Sequence, residues 1–240
     1  MKPTFFTKTL LTVSLFSFFS FASGQIEDNG DQYNLGGRAN IISTAVPFLE
    51  IAPESRGGAM GNAAVATSPD VNSQHWNPAK YAFIPNESGI ALSYTPWLRK
   101  LVNDINLYYL SGYKKLDDLQ TISGSLRYFS MGEVIFTQEA NPDDSRSVNP
   151  NEFAIDGAYS RVLSENLSGS VAFRYIRSDL QMGQAGTGYE HFQPGNSFAA
   201  DLAFFYQNEM EISGRESDLN AGINISNIGN KISYDGNTDQ

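Results

Sequence analysis

The sequence predicts an all-β fold, an antiparallel transmembrane β-barrel of the outer membrane with a short hatch helix near its N-terminus. Three observations support this prediction. Seven segments after residue 87 alternate apolar and polar side chains with a period of two, as β-strands do. Each segment is about ten residues long, the length that a tilted strand needs to cross a bilayer. The chain also begins with the features of a secretory signal.

Residues 1–24 are predicted to be a cleaved signal peptide. Lys2 and Lys8 give a positive start, residues 10–21 are mostly apolar, and residues 22–24 are small, as a signal peptidase requires. The alternative is a membrane anchor. A transmembrane helix needs roughly 20 apolar residues, and this run has about twelve. We therefore expect an exported protein.

Two regions separate the signal from the first strand. Residues 25–54 are polar and rich in glycine, and they are predicted to be a flexible periplasmic leader. Residues 55–86 begin with small side chains, which allow backbones to approach closely, and they are predicted to form a packed hatch segment. The candidate hatch residues are Arg56, His75, Trp76, Asn77 and Pro78.

Residues 87–240 are predicted to form the first half of the barrel, with the apolar face of each strand towards lipid. The predicted strands lie near residues 90–95, 103–113, 120–129, 152–162, 167–177, 197–207 and 218–227. The lipid-facing set of the second strand is predicted to be Ile105, Leu107, Tyr109 and Tyr113. The tyrosines expected at the lipid–water boundary are Tyr94, Tyr113, Tyr128, Tyr175 and Tyr206.

The polar faces of the strands separate a barrel from a soluble β-sandwich, which also has alternating strands. These faces carry Arg127, Asp156, Arg174 and Asp201. A dry sandwich core would not accept such charges, whereas a water-filled lumen would. The charges therefore favour the barrel.

The connections between strands predict the orientation. They are short at 114–119 and 164–166 and long at 131–151 and 178–196. Barrels have short periplasmic turns and long extracellular loops, so the first strand should run outward from a periplasmic N-terminus. Seven strands would leave two unpaired edges in lipid, and we therefore expect further strands beyond this sequence.

Composition excludes several classes of function. The net charge of −10 disfavours nucleic acid as a partner. The chain has no cysteine and two histidines, too few residues for a structural zinc site, and neither histidine lies near a nucleophile motif. We expect no enzymatic activity, no metal and no cofactor.

Several strings of the sequence resemble the PorV family, outer-membrane barrels of the type IX secretion system of Bacteroidota. They lie at residues 62–83, 92–99, 104–107, 116–118, 125–130 and 225–234. The run Trp76-Asn77-Pro78-Ala79 is less specific, because it also resembles the hatch of FadL-type fatty-acid channels. The resemblance implies a FadL-like barrel of about 14 strands, within the usual range, of which about seven are in this sequence.

The resemblance also implies a non-enzymatic function. Members of the family accept cargo from a SprA-like translocon, bind its C-terminal signal domain and deliver it to a PorU-like sortase at the cell surface. The alternative is a FadL-type channel for hydrophobic small molecules. The inward positions are mostly Ser, Asn, Ala and charged residues, which favours the secretion function over an apolar ligand pocket.

The long outer loops are predicted to be the cargo-facing surface, because they combine acids with exposed aromatic residues. The candidate cargo contacts are Tyr189, Glu190 and Phe192. The alternative is that these loops are simply variable surface. Trp97 and Leu98 are predicted at the outer rim, where they either anchor the barrel in the membrane interface or contact a partner.

Overall fold

The computed structural model describes residues 46–138, 141–180, 194–212, 215–230 and 232. The strands in these ranges are β1 (Ser88–Pro96), β2 (Asn106–Lys115), β3 (Gln120–Ser130), β4 (Val134–Gln138), β5 (Asn141–Val148), β6 (Asn151–Ser164), β7 (Leu167–Asp179), β8 (Gly195–Ile212) and β9 (Arg215–Gly229). The helices are a 3-10 helix at Pro47–Glu50, α1 (Ser55–Ala59), α2 (Ser73–Trp76) and a second 3-10 helix at Pro78–Phe83. No helix among the described residues is long and apolar enough to cross a membrane.

Seven of the strands form one curled antiparallel sheet, in the order β1-β2-β3-β6-β7-β8-β9. Each strand pairs with the strands before and after it in the chain, except that β3 pairs with β6 across the β4–β5 hairpin. All seven predicted segments overlap these strands. The all-β antiparallel prediction is therefore confirmed, and the sheet is curled like one half of a barrel.

The connections divide the sheet into two ends. One end, here called the long-loop end, carries the connections at 97–105, 131–150 and 180–194. The other, the short-turn end, carries the turns at 116–119 and 165–166. This alternation follows the prediction from the sequence, and the assignment of the long-loop end to the cell exterior stays a prediction.

The long connection at 131–151 is not a plain loop. β4 and β5 pair within it as a separate hairpin, with Val134 opposite Val148. Residues 135–137 are Ile-Phe-Thr, types that favour extended backbone. The run is too short to show a clear period of two, which is why the sequence pattern did not predict it.

The outer face of the sheet is apolar along its strands. Leu92 is 75% exposed and Phe173 is 69% exposed. Soluble proteins rarely leave so continuous an apolar surface in water, whereas it is typical of the lipid-facing side of a barrel. At the long-loop end this face carries a row of rings, here called the aromatic belt: Tyr94, Tyr108, Tyr128, Phe153, Tyr175 and Phe198.

The second strand presents its faces the other way round from the prediction. Tyr108 pairs directly with the outer-face tyrosines of β1 and β3, so it faces outward. The residues predicted to face lipid instead pack on the inner face: Ile105, Leu107, Tyr109 and Tyr113. The prediction was wrong because residues 107–110 are apolar on both faces, so that pairing with neighbours, rather than local alternation, decides the register.

Residues 46–84, here called the inner segment, lie on the inner face of the sheet. The segment begins within the predicted leader: Phe48 and Leu49 are buried against the sheet, so residues 46–54 are packed rather than flexible. Glu54 then begins α1, because its carboxylate accepts two backbone N–H groups of the first turn at 2.6 Å each.

Candidate functional site: the inner segment and the rim

Hydroxyl groups of four strands, here called the hydroxyl row, hold the backbone of the inner segment. Each belongs to an inward-facing serine or threonine and donates to a main-chain carbonyl oxygen of the segment. The contacts are Ser111 Oγ to Val71 O (3.1 Å), Thr121 Oγ1 to Tyr81 O (3.2 Å), Ser160 Oγ to Pro78 O (2.7 Å) and Ser168 Oγ to Ala79 O (2.7 Å). A carbonyl oxygen has two lone pairs, so a strand hydroxyl can donate to it even where the segment already supplies a donor, as the N–H of Ile84 does for Tyr81 O.

Asn77 joins the inner segment to β8. Its Oδ1 accepts the N–H of Ala79 at 3.0 Å, which caps the second 3-10 helix. Its Nδ2 donates to the carbonyls of Val65 at 3.1 Å and Phe204 at 2.9 Å. Pro78 follows at the first helical position, where its missing N–H is not needed. The Asn-Pro pair therefore begins a helix and docks it in one step.

Trp76 packs at the start of α1. Its Nε1 donates to Glu54 Oε1 at 3.0 Å, so one carboxylate holds both the indole and the helix terminus. Gly57 lies directly beside them, and a Cβ there would come within 2.5 Å of both Glu54 and the Trp76 ring. Only glycine fits at this position, as the small-residue composition of the predicted hatch suggests.

Lys80 is buried with its ammonium group among neutral partners. Its Nζ donates to Ala64 O and Thr67 Oγ1, each at 3.1 Å. Burial lowers the pKa of Lys80 to about 8, because the charged form loses solvation. Among the described residues no carboxylate forms an ion pair with it. Lys80 therefore fixes residues 64–67 as a hydrogen-bond donor.

A buried ionic network lies on the inner face of the sheet. Arg174 pairs with Asp156 (Nε to Oδ1, 2.6 Å) and with Asp201 (Nη2 to Oδ2, 3.0 Å). Asp201 also accepts the N–H of Asn227 at 2.7 Å, and Arg174 donates to the side-chain oxygen of Asn227. The charges predicted to face a water-filled lumen are instead buried, and their mutual pairing compensates for the lost water.

Arg127 connects the inner face of β3 to two parts of the inner segment. Its Nη1 donates to the carbonyls of Phe48 at 3.2 Å and Leu49 at 2.7 Å, and its Nη2 contacts His75 Nδ1 at 2.7 Å. A guanidinium can only donate, so His75 accepts. Burial, followed by the charges of Arg127 and Arg174, holds the pKa of His75 well below its usual 6.5. His75 is therefore neutral at pH 7.

Trp97 and Leu98 begin the connection between β1 and β2 at the long-loop end. The N–H of Trp97 donates to Ile105 O at 2.9 Å, which extends the pairing of the two strands by one step. Leu98 has a φ of 53°, in the left-handed region, and turns the chain. Both side chains are exposed at the rim, and whether they anchor the barrel or contact a partner stays a prediction.

Comparison with known protein families identifies the chain. The family described as Type IX secretion system protein PorV matches residues 35–240. The chain belongs to the PorV family. It is a component of the type IX secretion system and, with its curled sheet of strands, an outer-membrane protein. A comparison with curated proteins finds no match.

The structure brings together most of the predicted hatch residues of this PorV-family chain. Residues 75–78 are consecutive and contact β3, β6, β8, β9 and α1. Arg56 lies apart, on the surface, where its Nη1 pairs with Asp70 Oδ2 at 2.7 Å. The predicted cargo contacts lie outside the described residues: Tyr189, Glu190 and Phe192.

Three residues that hold the inner segment of this PorV-family chain were not predicted for that role: Glu54, Lys80 and Arg127. Lys80 lies within the apolar run 79–83, and a charge in such a run is either buried with partners or at an edge. This pattern could have predicted a structural role for Lys80. Arg127 was recognised as inward-facing, but its partners are 52 to 79 residues earlier in the chain. Such partners require the tertiary structure.

The contacts at this PorV-family site hold the inner segment in place. Among the described residues, no group of His, Asp and Glu side chains could hold a metal ion. His75 contacts Arg127 and the edge of the Trp76 ring. The inner segment packs on the inner face, and the side chains of residues 97–102 at the rim are exposed.

Proposed function

We propose that this chain binds the C-terminal signal domains of secreted cargo as they leave the translocon and delivers them to the surface sortase. Membership of the PorV family supports a place in this pathway. The proposed partners are the cargo proteins, a SprA-like translocon, a PorU-like sortase and the surrounding outer-membrane lipid. The role is non-enzymatic and involves no nucleic acid.

The packing of the inner segment on the inner face supports this proposal. The hydroxyl row and Arg127 hold the segment there. Because the segment occupies this face of the sheet, we assign recognition to the rim and the long-loop end. This favours a protein-binding function over passage of a small molecule.

A FadL-type channel is the second candidate, and one observation favours it. Phe48 and Leu49 pack into an apolar cluster with Leu107, Phe129 and Ile176. This cluster has the composition of a pocket for a hydrophobic ligand. A ligand could occupy this cluster only after the 3-10 helix at Pro47–Glu50 had moved away. The channel function therefore requires this helix to move, whereas the cargo-binding function does not.

The proposed cargo-facing surface is the long-loop end, facing the cell exterior. It includes the connections 131–151 and 178–196 and, within the first of them, the β4–β5 hairpin. Ile135 of this hairpin is exposed. An exposed apolar side chain on a hairpin beyond the sheet suits reversible contact with a protein.

Site-specific photocrosslinking in living cells tests the cargo function. A benzophenone amino acid at Ile135 should crosslink to several secreted proteins that share one C-terminal domain. The matched control is Leu116, which is equally apolar and exposed but lies at the short-turn end. Cargo crosslinks from Leu116, or none from Ile135, would contradict the proposed surface.

The predicted contacts at Tyr189, Glu190 and Phe192 need a separate test. The triple alanine variant of the full protein should still assemble, which heat-modifiable migration on a gel shows, while cargo remains unprocessed. Normal surface attachment of cargo in this variant would exclude these three residues.

The channel candidate is tested by loosening the 3-10 helix at Pro47–Glu50. Arg127→Gln removes the donor to Leu49 O and should increase uptake of a radiolabelled fatty acid if this helix is a gate. Arg161→Gln, on an exposed strand position, is the matched control. The cargo proposal predicts no uptake from either variant.

A further inference from the structure

The connection between β1 and β2 exposes apolar side chains without a core beneath them. Leu98 is 51% exposed and Leu101 is 81% exposed, and Trp97 and Val102 are also exposed. The loop is nevertheless compact, because the N–H groups of Leu101 and Val102 donate to Leu98 O at 2.7 and 3.1 Å. We call residues 97–102 the rim loop.

The rim loop lies at the depth of lipid headgroups. It begins three residues beyond Tyr94, whose ring contacts Tyr108 of the aromatic belt at 5.3 Å between centroids. Aromatic belts mark the boundary between hydrocarbon and headgroups. Three residues of strand rise about 10 Å along the strand, which a tilt of about 40° reduces to about 8 Å along the membrane normal. The headgroup layer on each side is roughly 5–8 Å thick. The rim loop is therefore the first part of the hairpin outside the hydrocarbon.

The rim loop also carries two cations without an acidic partner. Arg99 and Lys100 are exposed, and among the described residues neither forms an ion pair. Asp104, the acid nearest in sequence, accepts the N–H of Glu133 at 2.9 Å. In a chain with a net charge of −10, these two positive charges without an acidic partner make a locally basic surface.

We propose that the rim loop binds the phosphate of an anionic membrane lipid. Arg99 and Lys100 contact the phosphate, and the exposed apolar side chains of the loop insert beside the acyl chains. Guanidinium and ammonium groups form charge-assisted hydrogen bonds with phosphate oxygens. The apolar outer face of the sheet begins directly below the rim loop. A lipid whose acyl chains cover the aromatic belt therefore has its headgroup at the level of the loop.

The test measures binding of fluorescent phosphatidylglycerol to the purified full protein in a neutral detergent. Removing both charges in Arg99→Gln/Lys100→Gln should weaken binding about 30-fold, because each basic residue near an anionic surface contributes about fivefold. Leu101→Ser keeps the charges and should weaken binding about tenfold by removing apolar insertion. Zwitterionic phosphatidylcholine should bind more weakly than phosphatidylglycerol.

A second basic pair provides the control. Lys114 and Lys115 lie at the short-turn end, around a surface depression that also contains Glu87, Asp117 and Asp118. Lys114→Gln/Lys115→Gln should leave binding unchanged. Equal losses in the two variants would show nonspecific attraction, and an unchanged affinity in Arg99→Gln/Lys100→Gln would show no site. Displacement of the lipid by inorganic phosphate would show a free-anion site. Any of these three results overturns the proposal.

Discussion

The two faces of the sheet have different surroundings. The inner face packs against the inner segment, whereas the outer face of the same strands is exposed. On the inner face, hydroxyls and charges meet specific partners in the inner segment, as Ser160 meets Pro78 and Arg127 meets Leu49. On the outer face, apolar side chains such as Leu92 and Phe173 are largely exposed and need no particular partner. The inner face is therefore stabilised by specific pairs of polar groups. The outer face is stabilised when its side chains are apolar, and the cost of a polar one depends on how deep it lies in the membrane. The predictions below test this difference in the full protein, reconstituted in vesicles.

The largest effect is expected from breaking the ionic network. Arg174→Met leaves Asp156 and Asp201 as buried, unpaired anions and should reduce the free energy of unfolding by about 3–5 kcal/mol. Denaturant unfolding measures the change. Arg161→Met, at an exposed position, should cost less than about 1 kcal/mol. The triple variant Asp156→Leu/Arg174→Met/Asp201→Leu should recover most of the loss, and failure to do so would mean that pairing is not the reason.

The outer face should show a dependence on depth instead. Leu126 lies opposite Leu110 and Ile155 in the middle of the sheet, so Leu126→Arg should cost about 2–4 kcal/mol. Tyr94→Arg, in the aromatic belt, should cost only about 0–1 kcal/mol. The same unfolding experiment compares them. Equal costs at the two depths would contradict the assignment of this face to lipid.

Acid should act on the inner face through His75. Its pKa is lowered in the folded protein from 6.5, so below pH 6.5 the unfolded chain binds more protons than the folded one. Stability should therefore be full above pH 6.5 and fall by up to about 1.4 kcal/mol per pH unit below it. Denaturant midpoints at several pH values should show this slope in the parent protein and in His191→Gln. His75→Gln should lack it, and a slope that persists there must come from another group.

The smallest effect is expected from a single member of the hydroxyl row. Ser160→Ala removes the hydroxyl that donates to the carbonyl of Pro78 and should cost about 1 kcal/mol. Limited proteolysis of the inner segment should detect the loosening before global unfolding does. Ser164→Ala, at the exposed end of the same strand, serves as the control. Equal proteolysis of the two variants would show that the hydroxyl row does not hold the segment.

The outer face was largely predictable from the sequence, because lipid imposes one simple rule on every second residue. Ile122, Leu126 and Tyr128 of β3 alternate cleanly with polar residues, and their facing was predicted correctly. In β2, Leu107 to Leu110 are apolar on both faces, so the rule could not choose between them. Only pairing with β1 and β3 determines that orientation.

The candidate site was predictable only in part. Small residues and the Asn-Pro pair predicted a packed hatch, and the structure shows why each is needed at Gly57 and Asn77. The sequence predicted that charged side chains lie on the inner face of the strands, but it did not predict which groups surround them. Arg127 was placed in water by a rule that considers each residue alone, whereas its actual partners are main-chain carbonyls at Phe48 and Leu49.

The hydroxyl row has a consequence for biogenesis. Ser160 and Pro78 are 82 residues apart in the chain, and Ser168 and Ala79 are 89 apart. Contacts of such long range form slowly, because a large stretch of chain must be ordered before they appear. The carbonyls of the inner segment are synthesised first and meet these donors only when β6 and β7 have formed. Docking of the segment through these two contacts therefore follows the formation of β6 and β7.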